Sequence, residues 1–281
     1  MPFNHDVIGT QGKPVEVSWS TDDALLYALS VGAGQADPYD ELDFTTENSA
    51  GHSVRVLPTF AILLGRGSLN MPLGAIDQTA TVHAEQTVTA HRPLPAAGTA
   101  RSVATVTGVY DKGSAAQVVM EIETSEATTG ELLATQTASI FGRGEGGFGG
   151  ERGPSTSWTP RERPPDHVVS YQTHAQQALL YRLTGDHNPL HSDPAFALKA
   201  GFDRPILHGL CTYGFTGRAL LHTLCGSDPA RFTSMGARFS RPVVPGDPLD
   251  VLIWAEGDTA YFRTESNGVT VLDRGRLTFI P

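Results

Sequence analysis

The chain has 281 residues, 40% hydrophobic and 18% charged, with 30 Gly and 19 Pro, a composition that excludes a disordered chain, a coiled coil and a collagen-like fibre. Twenty Lys+Arg against 30 Asp+Glu leave a net charge of −10, which argues against nucleic acid or an anionic membrane as partner. The two cysteines, Cys211 and Cys225, can build neither a disulfide framework nor a four-thiolate zinc site, and they fit a reducing, cytoplasmic setting.

At the N-terminus no basic stretch is followed by an apolar run, so no secretory signal is expected. Ser20, then Thr21-Asp22-Asp23 and an apolar run ending near Gly32 or Gly34, predict a short capped helix. A second helix is expected to begin at Leu57-Pro58, since proline is tolerated in a first turn. The apolar run there, residues 57–64, is too short to span a bilayer. Four β-like runs follow near residues 81–91, 101–110, 116–123 and 132–141, separated by turn-prone segments, and read as an antiparallel sheet.

Residues 142–167 hold 11 Gly or Pro among 26 and read as an interdomain linker between a domain at 1–141 and one at 168–281. No G-x-G-x-x-G enters a helical pattern there, which disfavours a phosphate-cradling loop. Beyond it the order repeats: a helix-like run at 174–183, a loop, a helix at about 207–224, then strands near 231–240, 249–256, 260–265 and 269–280. Two similar α+β halves are the economical arrangement. The chain ends Leu-Thr-Phe-Ile-Pro, which is not a peroxisomal address.

Reactive residues concentrate at 181–194, YRLTGDHNPLHSDP. Asp186, His187, Asn188 and His191 lie within six residues beside the helix-terminating Gly185 and the helix-breaking Pro189, on a loop where they can converge. An Asp and a His held together can position and deprotonate a water; the alternative is that Asp186 caps the next turn and the histidines are solvated. His187 and His191 are spaced like zinc ligands, but Pro189 breaks the helix that the zincin pattern requires, and the metal reading is the weaker one. Downstream, Pro205 to Gly209 reads as entry into a helix whose free N–H groups can stabilise an oxyanion; tight packing is the competing explanation for Gly209. From 171 to 245 seven basic residues face four acidic ones, a local bias that suits a small polyanionic ligand.

The run from Tyr181 to Cys211, with ARFSRPVVPGDPL and the N-terminal YALSVGAG, VLPTFA, DKGSA and GRGEGGFGG, closely resembles MaoC-like (R)-specific enoyl-CoA hydratases, the hydratase 2 family, in their two-domain form. The resemblance implies an α+β double hotdog fold, two long helices each wrapped by a curved antiparallel sheet, with only the C-terminal half keeping the catalytic motif. It implies Asp186 and His191 as the pair that holds water, Asn188 as their support, and the Gly209 amide as the donor to the thioester oxygen. His83, Ala84, Lys112 and Phe239 fall where the family contacts acyl-CoA, although Ala84 stands where the multifunctional enzymes have glycine. The implied reaction is hydration of trans-2-enoyl-CoA to (R)-3-hydroxyacyl-CoA by a homodimer, with no cofactor and no metal. A dehydratase for a carrier-bound 3-hydroxyacyl thioester, a non-catalytic acyl-thioester-binding module and a metallohydrolase are the alternatives.

Overall fold

The computed structural model describes residues 4, 6–71, 73–74, 80–154, 158–159 and 161–281. Helix α1 (Thr21–Ser30) starts at a capping box: Ser20 Oγ accepts the Asp23 N–H at 3.2 Å, and the Asp23 carboxylate accepts the Ser20 N–H at 2.8 Å. Such a cap contributes about 1 kcal/mol. Gly32, at φ 86°, ends the helix.

Five strands belong to the first half, β1 (Val15–Trp19), β2 (Thr81–Ala90), β3 (Gly98–Asp111), β4 (Ala115–Glu126) and β5 (Leu132–Arg143). Five belong to the second, β6 (His167–Gln172), β7 (Phe232–Phe239), β8 (Pro248–Glu256), β9 (Thr259–Ser266) and β10 (Val269–Phe279). They form one sheet in the order β1-β3-β4-β5-β2-β7-β10-β9-β8-β6. Adding five to each number of the first half and reversing the list gives the second half, so the repeat suggested by the sequence is a repeat of topology. The halves join where β2 pairs antiparallel with β7, from Glu85 opposite Arg238 to Thr89 opposite Ser234.

Short helices α2 (Leu42–Thr45), α3 (Ala61–Gly65), α4 (Gln177–Tyr181) and α5 (Pro194–Lys199) accompany one long helix, α6 (Gly209–Leu224). Helix α6 lies across β6, β7, β8 and β10, and α3 lies across β2 to β5. This is the double hotdog arrangement, with one correction to the expected pair of long helices. The N-terminal member is a short composite in which 3-10 turns, Pro58–Phe60 and Arg66–Leu69, flank α3. Gly65 and Gly67 lower its helical propensity, and tighter turns take over at both ends. The two central elements touch: a Cβ on Gly217 would fall 2.6 Å from Thr59 Cγ2, so glycine there permits the approach. One buried cluster runs through both halves, joining Tyr27, Phe60 and Val88 to Tyr213, Phe215 and Met235. Full burial of such side chains is worth about 1.5–3 kcal/mol each before entropy is counted.

Two local features bear on the site. In β2, His83 faces Ile140 of β5 and Glu85 faces Ser139, leaving Ala84 as the extra residue of a β-bulge. The carboxylate of Asp111 accepts N–H groups from Gly113 at 2.8 Å, Gly147 at 2.9 Å and Gly149 at 2.8 Å. The glycine-rich start of the 142–167 run is therefore folded onto the β3–β4 turn, and its amides are engaged by the chain's own carboxylate. Residues 155–157 and 160 of that run lie outside the described residues. No helix among the described residues is long and apolar enough to cross a membrane.

Candidate active site

The loop after α4 is shaped by backbone chemistry. Gly185, at φ 110°, ends the 3-10 turn Arg182–Thr184 in a conformation that favours glycine. Asp186 Oδ1 then accepts the Asn188 N–H at 3.2 Å, and Asn188 Oδ1 accepts the Leu190 N–H at 3.0 Å, capping the turn Pro189–His191. The cap of that turn is therefore Asn188 and not Asp186, whose Oδ1 orders the residue before the turn and whose Oδ2 is left for other work. His191 Nδ1–H donates to the Ile206 carbonyl at 2.8 Å. A carbonyl can only accept, so this bond fixes the tautomer and leaves Nε2 with its lone pair.

His208, one residue before α6, is buried. Its Nε2–H donates to the Asp186 carbonyl at 3.2 Å, and its ring stacks on His191 with centroids 3.7 Å apart. His208 Nδ1 is buried without a hydrogen-bond partner among the described residues. One donor atom from each of Asp186, His191 and His208 lies within 4.8 Å of the other two. A water making two hydrogen bonds of ~2.8 Å spans about 4.5 Å between its acceptors, so the spacing suits one water held by two of these groups. His187 also lines the cavity into which these groups open, but it accepts from Arg182 Nη2 at 3.2 Å through Nδ1 and is not part of this cluster among the described residues.

Arg66, from the N-terminal half, forms an ion pair with Asp186 Oδ2. Burial pushes the Asp186 carboxyl up, yet the Arg66 guanidinium, with smaller help from His208 and the Asn188 amide, holds it below the usual carboxylate range. Burial pushes His191 down, pushes His208 down to about 3 and takes His83 down to about 4. All three imidazoles are neutral at pH 7. Asp186, His191 and His208 together offer a donor set for a divalent ion, but the guanidinium already neutralises the carboxylate and would repel a second cation.

These groups open into a cavity of about 1410 Å³, larger than a typical small-ligand pocket and lined from both halves. Asp186, Asn188, His191, Gly209, His83, Ala84 and Phe239 all line it. Phe239 packs between the halves: its ring centroid is 4.9 Å from that of His83, and a Cβ on Gly209 would fall 3.0 Å from its Cδ1. Gly209 is the first residue of α6, and His208 supplies no side-chain cap. Ala84 takes the bulge position without a positive φ, which explains why a residue with a Cβ is accommodated there.

Lys112 is not among the residues that line this cavity. Its Nζ–H donates to the Arg152 carbonyl, and the ammonium sits 5.5 Å from the Tyr110 ring centroid. Of the seven basic residues counted in 171–245, Arg238 and Arg241 line the cavity. Arg238 is paired with Asp273, whereas Arg241 and the N-terminal Arg143, also at the lining, make no ion pair among the described residues. Arg218 is committed elsewhere, buried against Glu41 at 2.9 Å. Sequence reasoning missed His208 and Arg66. The first stood in plain view beside Gly209; the second is a long-range contact with no local signature.

A family description, "MFE-2 hydratase 2 N-terminal domain", matches residues 17–144, and another, "MaoC like domain", matches residues 157–274. The chain is 46% identical over 266 residues to the enoyl-CoA hydratase ChsH3 of Mycobacterium tuberculosis (strain ATCC 25618 / H37Rv), covering 92% of this chain and 91% of that one. It is 43% identical over 293 residues to the 3-hydroxyacyl-thioester dehydratase Y of the same organism, covering 100% and 99%. The solved structure of full-length peroxisomal multifunctional enzyme type 2 from Drosophila melanogaster superposes with a TM-score of 0.84 at 36% identity, over 96% of this chain and 48% of that longer one. With both family patterns in order, nearly full-length relatives above 40% identity and the sheet topology described above, the chain belongs to the MaoC-like hydratase 2 family.

Proposed function

We propose that the chain adds water to a trans-2-enoyl-CoA to give the (R)-3-hydroxyacyl-CoA. The carrying observation is the convergence of the Asp186 carboxylate and the His191 imidazole, whose Nδ1 is engaged by Ile206, beside the uncapped start of α6, at one wall of a large mixed cavity. Two acceptors grip one water. As its oxygen bonds to C3, a proton passes to this pair and the C2–C3 π electrons move toward the thioester oxygen. The Gly209 N–H, at the positive end of a 16-residue helix, stabilises that oxygen. Return of the proton to C2 completes addition on one face and regenerates the site. Asn188 holds the loop, and His83, Ala84 and Phe239 shape the wall contributed across the β2–β7 seam. The step needs neither metal nor redox cofactor.

Apolar lining from Phe141, Leu190, Phe196 and Phe202 suits an acyl chain, and Arg143 and Arg241, without an ion pair among the described residues, suit the phosphates of coenzyme A. The family matches at 17–144 and 157–274 support division into an acyl-binding half at 1–141, a connecting run at 142–167 and a catalytic half at 168–281. The buried free thiols Cys211 and Cys225 fit a cytoplasmic setting, and exposed Val168, Leu179 and Leu183 offer apolar surface for a second copy in a homodimer; cell fractionation and sedimentation test these two points. The name of the second relative above favours one further reading, dehydration of a 3-hydroxyacyl thioester in the reverse direction, on coenzyme A or a carrier.

The test follows loss of enoyl-thioester absorbance, with chiral analysis of the product, for wild type, Asp186→Asn and His191→Ala. Both variants are expected to fold and to lose most turnover, with no effect of a chelator. A fully active Asp186→Asn or an (S) product would overturn the reading. A carrier-bound substrate turned over faster than its CoA counterpart would favour the dehydratase reading.

A further inference from the structure

We propose that Arg66, carried by the half that lacks the Asp/His motif, is a positioning residue for the hydration step, fixing the Asp186 carboxylate beside His191 so that both halves build one reaction centre. The proposal rests on the reading of Asp186 as the carboxylate that handles the proton. It places in the chemistry the half that the proposed function treats as acyl-binding.

The geometry carries the argument. Arg66 opens the 3-10 turn Arg66–Leu69 at the end of α3. Its guanidinium lies under the Gly185–Asp186 turn, where a Cβ on Gly185 would fall 3.6 Å from Nη1. Nη2 pairs with Asp186 Oδ2, while the Asn188 N–H holds Oδ1. The carboxylate is thereby gripped at both oxygens, one from each half of the chain, and its plane is set.

The charges facing Asp186 come from several elements. His191 and His208 approach from the C-terminal half and His83 from β2, and burial keeps all three neutral at pH 7. His187 is engaged by Arg182. Arg66 is the permanent cation of this set among the described residues, since a guanidinium does not titrate in the working range. It offsets the cost of burying a carboxylate and holds the ionised form that can accept from water.

Stability alone accounts poorly for the side chain. Among the described residues Arg66 Nη1 is buried without a hydrogen-bond partner, an arrangement that costs free energy. Arg66 is absent from the cavity lining, so it acts through Asp186 and does not touch substrate.

The experiment compares full-length wild type, Arg66→Gln, Arg66→Lys and Asp186→Asn, measuring kcat and KM for an enoyl-CoA across pH, with thermal melting to confirm folding. Arg66→Gln is expected to lower kcat about ten- to a hundredfold, to leave KM in place, and to move the acid limb of the kcat profile to higher pH. Arg66→Lys is expected to recover most of kcat and to return the limb toward its wild-type position. Normal kcat and an unmoved limb in Arg66→Gln, with Asp186→Asn inactive, would overturn the role of Arg66. Equal losses in the Gln and Lys variants with an unmoved limb would do the same, marking a purely structural contact. An active Asp186→Asn would sink the underlying reading of the carboxylate, whatever Arg66 does. If Arg66→Gln does not fold, Arg66→Met takes its place, filling the space without the charge.

Discussion

The imidazoles of His191 and His208 stack with centroids 3.7 Å apart and planes 28° from parallel, so the buried His208, itself at the cavity lining, supports the ring of His191. His208 does so while donating to the Asp186 carbonyl, which ties both members of the water-holding pair to one side chain. His208→Ala removes both supports and is expected to lower kcat about a hundredfold and to cost about 3 kcal/mol of stability. His208→Phe keeps the flat surface and loses only the N–H, so its kcat loss should be smaller. Steady-state rates and thermal unfolding of the two variants separate stacking from hydrogen bonding.

Gly209 allows its two roles to be tested apart. Gly209→Ala keeps the N–H but places a methyl 3.0 Å from Phe239 Cδ1, so it should act by crowding the ring and mainly raise KM. Gly209→Pro removes the N–H at a helix position where proline is tolerated, after a His208 already at ψ 132°. Loss of an oxyanion donor costs about 10²–10³ in kcat, and single-turnover rates with a saturating enoyl-CoA would show it.

Acid should destabilise the fold well before its carboxylates titrate. His208, with a pKa of about 3, and His83, with a pKa of about 4, lie below the usual imidazole value of 6.5. Between those values and 6.5 the unfolded chain binds more protons than the folded one, so stability rises with pH there. It is fully present above about 6.5 and is lost as pH falls toward the folded values. Glu41 adds a second phase at lower pH: burial raises its carboxyl, but the hydrogen bond to His222 and the charge of Arg218 take it down to about 2. Melting temperatures measured from pH 8 to pH 4 should fall below about pH 6.5, and His208→Phe should flatten the upper part of the slope.

The Asp111 carboxylate gathers amides from the β3–β4 turn and from the glycine-rich run. These contacts hold its pKa below the usual range, the Gly147 amide most and the Gly113 amide next. Asp111→Ala is expected to leave catalysis nearly intact and to release residues 144–153 for proteolysis. Limited digestion with mass spectrometry would locate the cut, and an unchanged cleavage pattern would show that the carboxylate is not what anchors the run.

Sequence alone located the long strands and α6 because their apolar residues repeat with a clear period over many positions. It missed β1 and β6, short edge strands with little burial: in β6 four of six residues are exposed. Edge strands carry weak patterning because one side has no neighbour. The loop motif was legible because Gly185, Asp186, Asn188, Pro189 and His191 lie within seven positions and organise one another locally. Arg66 was not legible, since its partner comes from the opposite half and only tertiary packing joins them. Lys112 shows the converse, a residue placed by resemblance that the fold spends on Arg152 and Tyr110.

The extra residue at Ala84 makes the length of β2, more than its composition, a determinant of the reaction chamber. Ile140 and Ser139 are consecutive residues of β5 and point to opposite sides, so His83 and Glu85, which face them, also part company there. Without the bulge, residues two apart would share a face. A chain shortened by Ala84 alone could restore an uninterrupted ladder with β5 and keep His83 opposite Ile140 and Glu85 opposite Ser139, yet it would lose the local twist that the bulge adds and the Ala84 wall of the cavity.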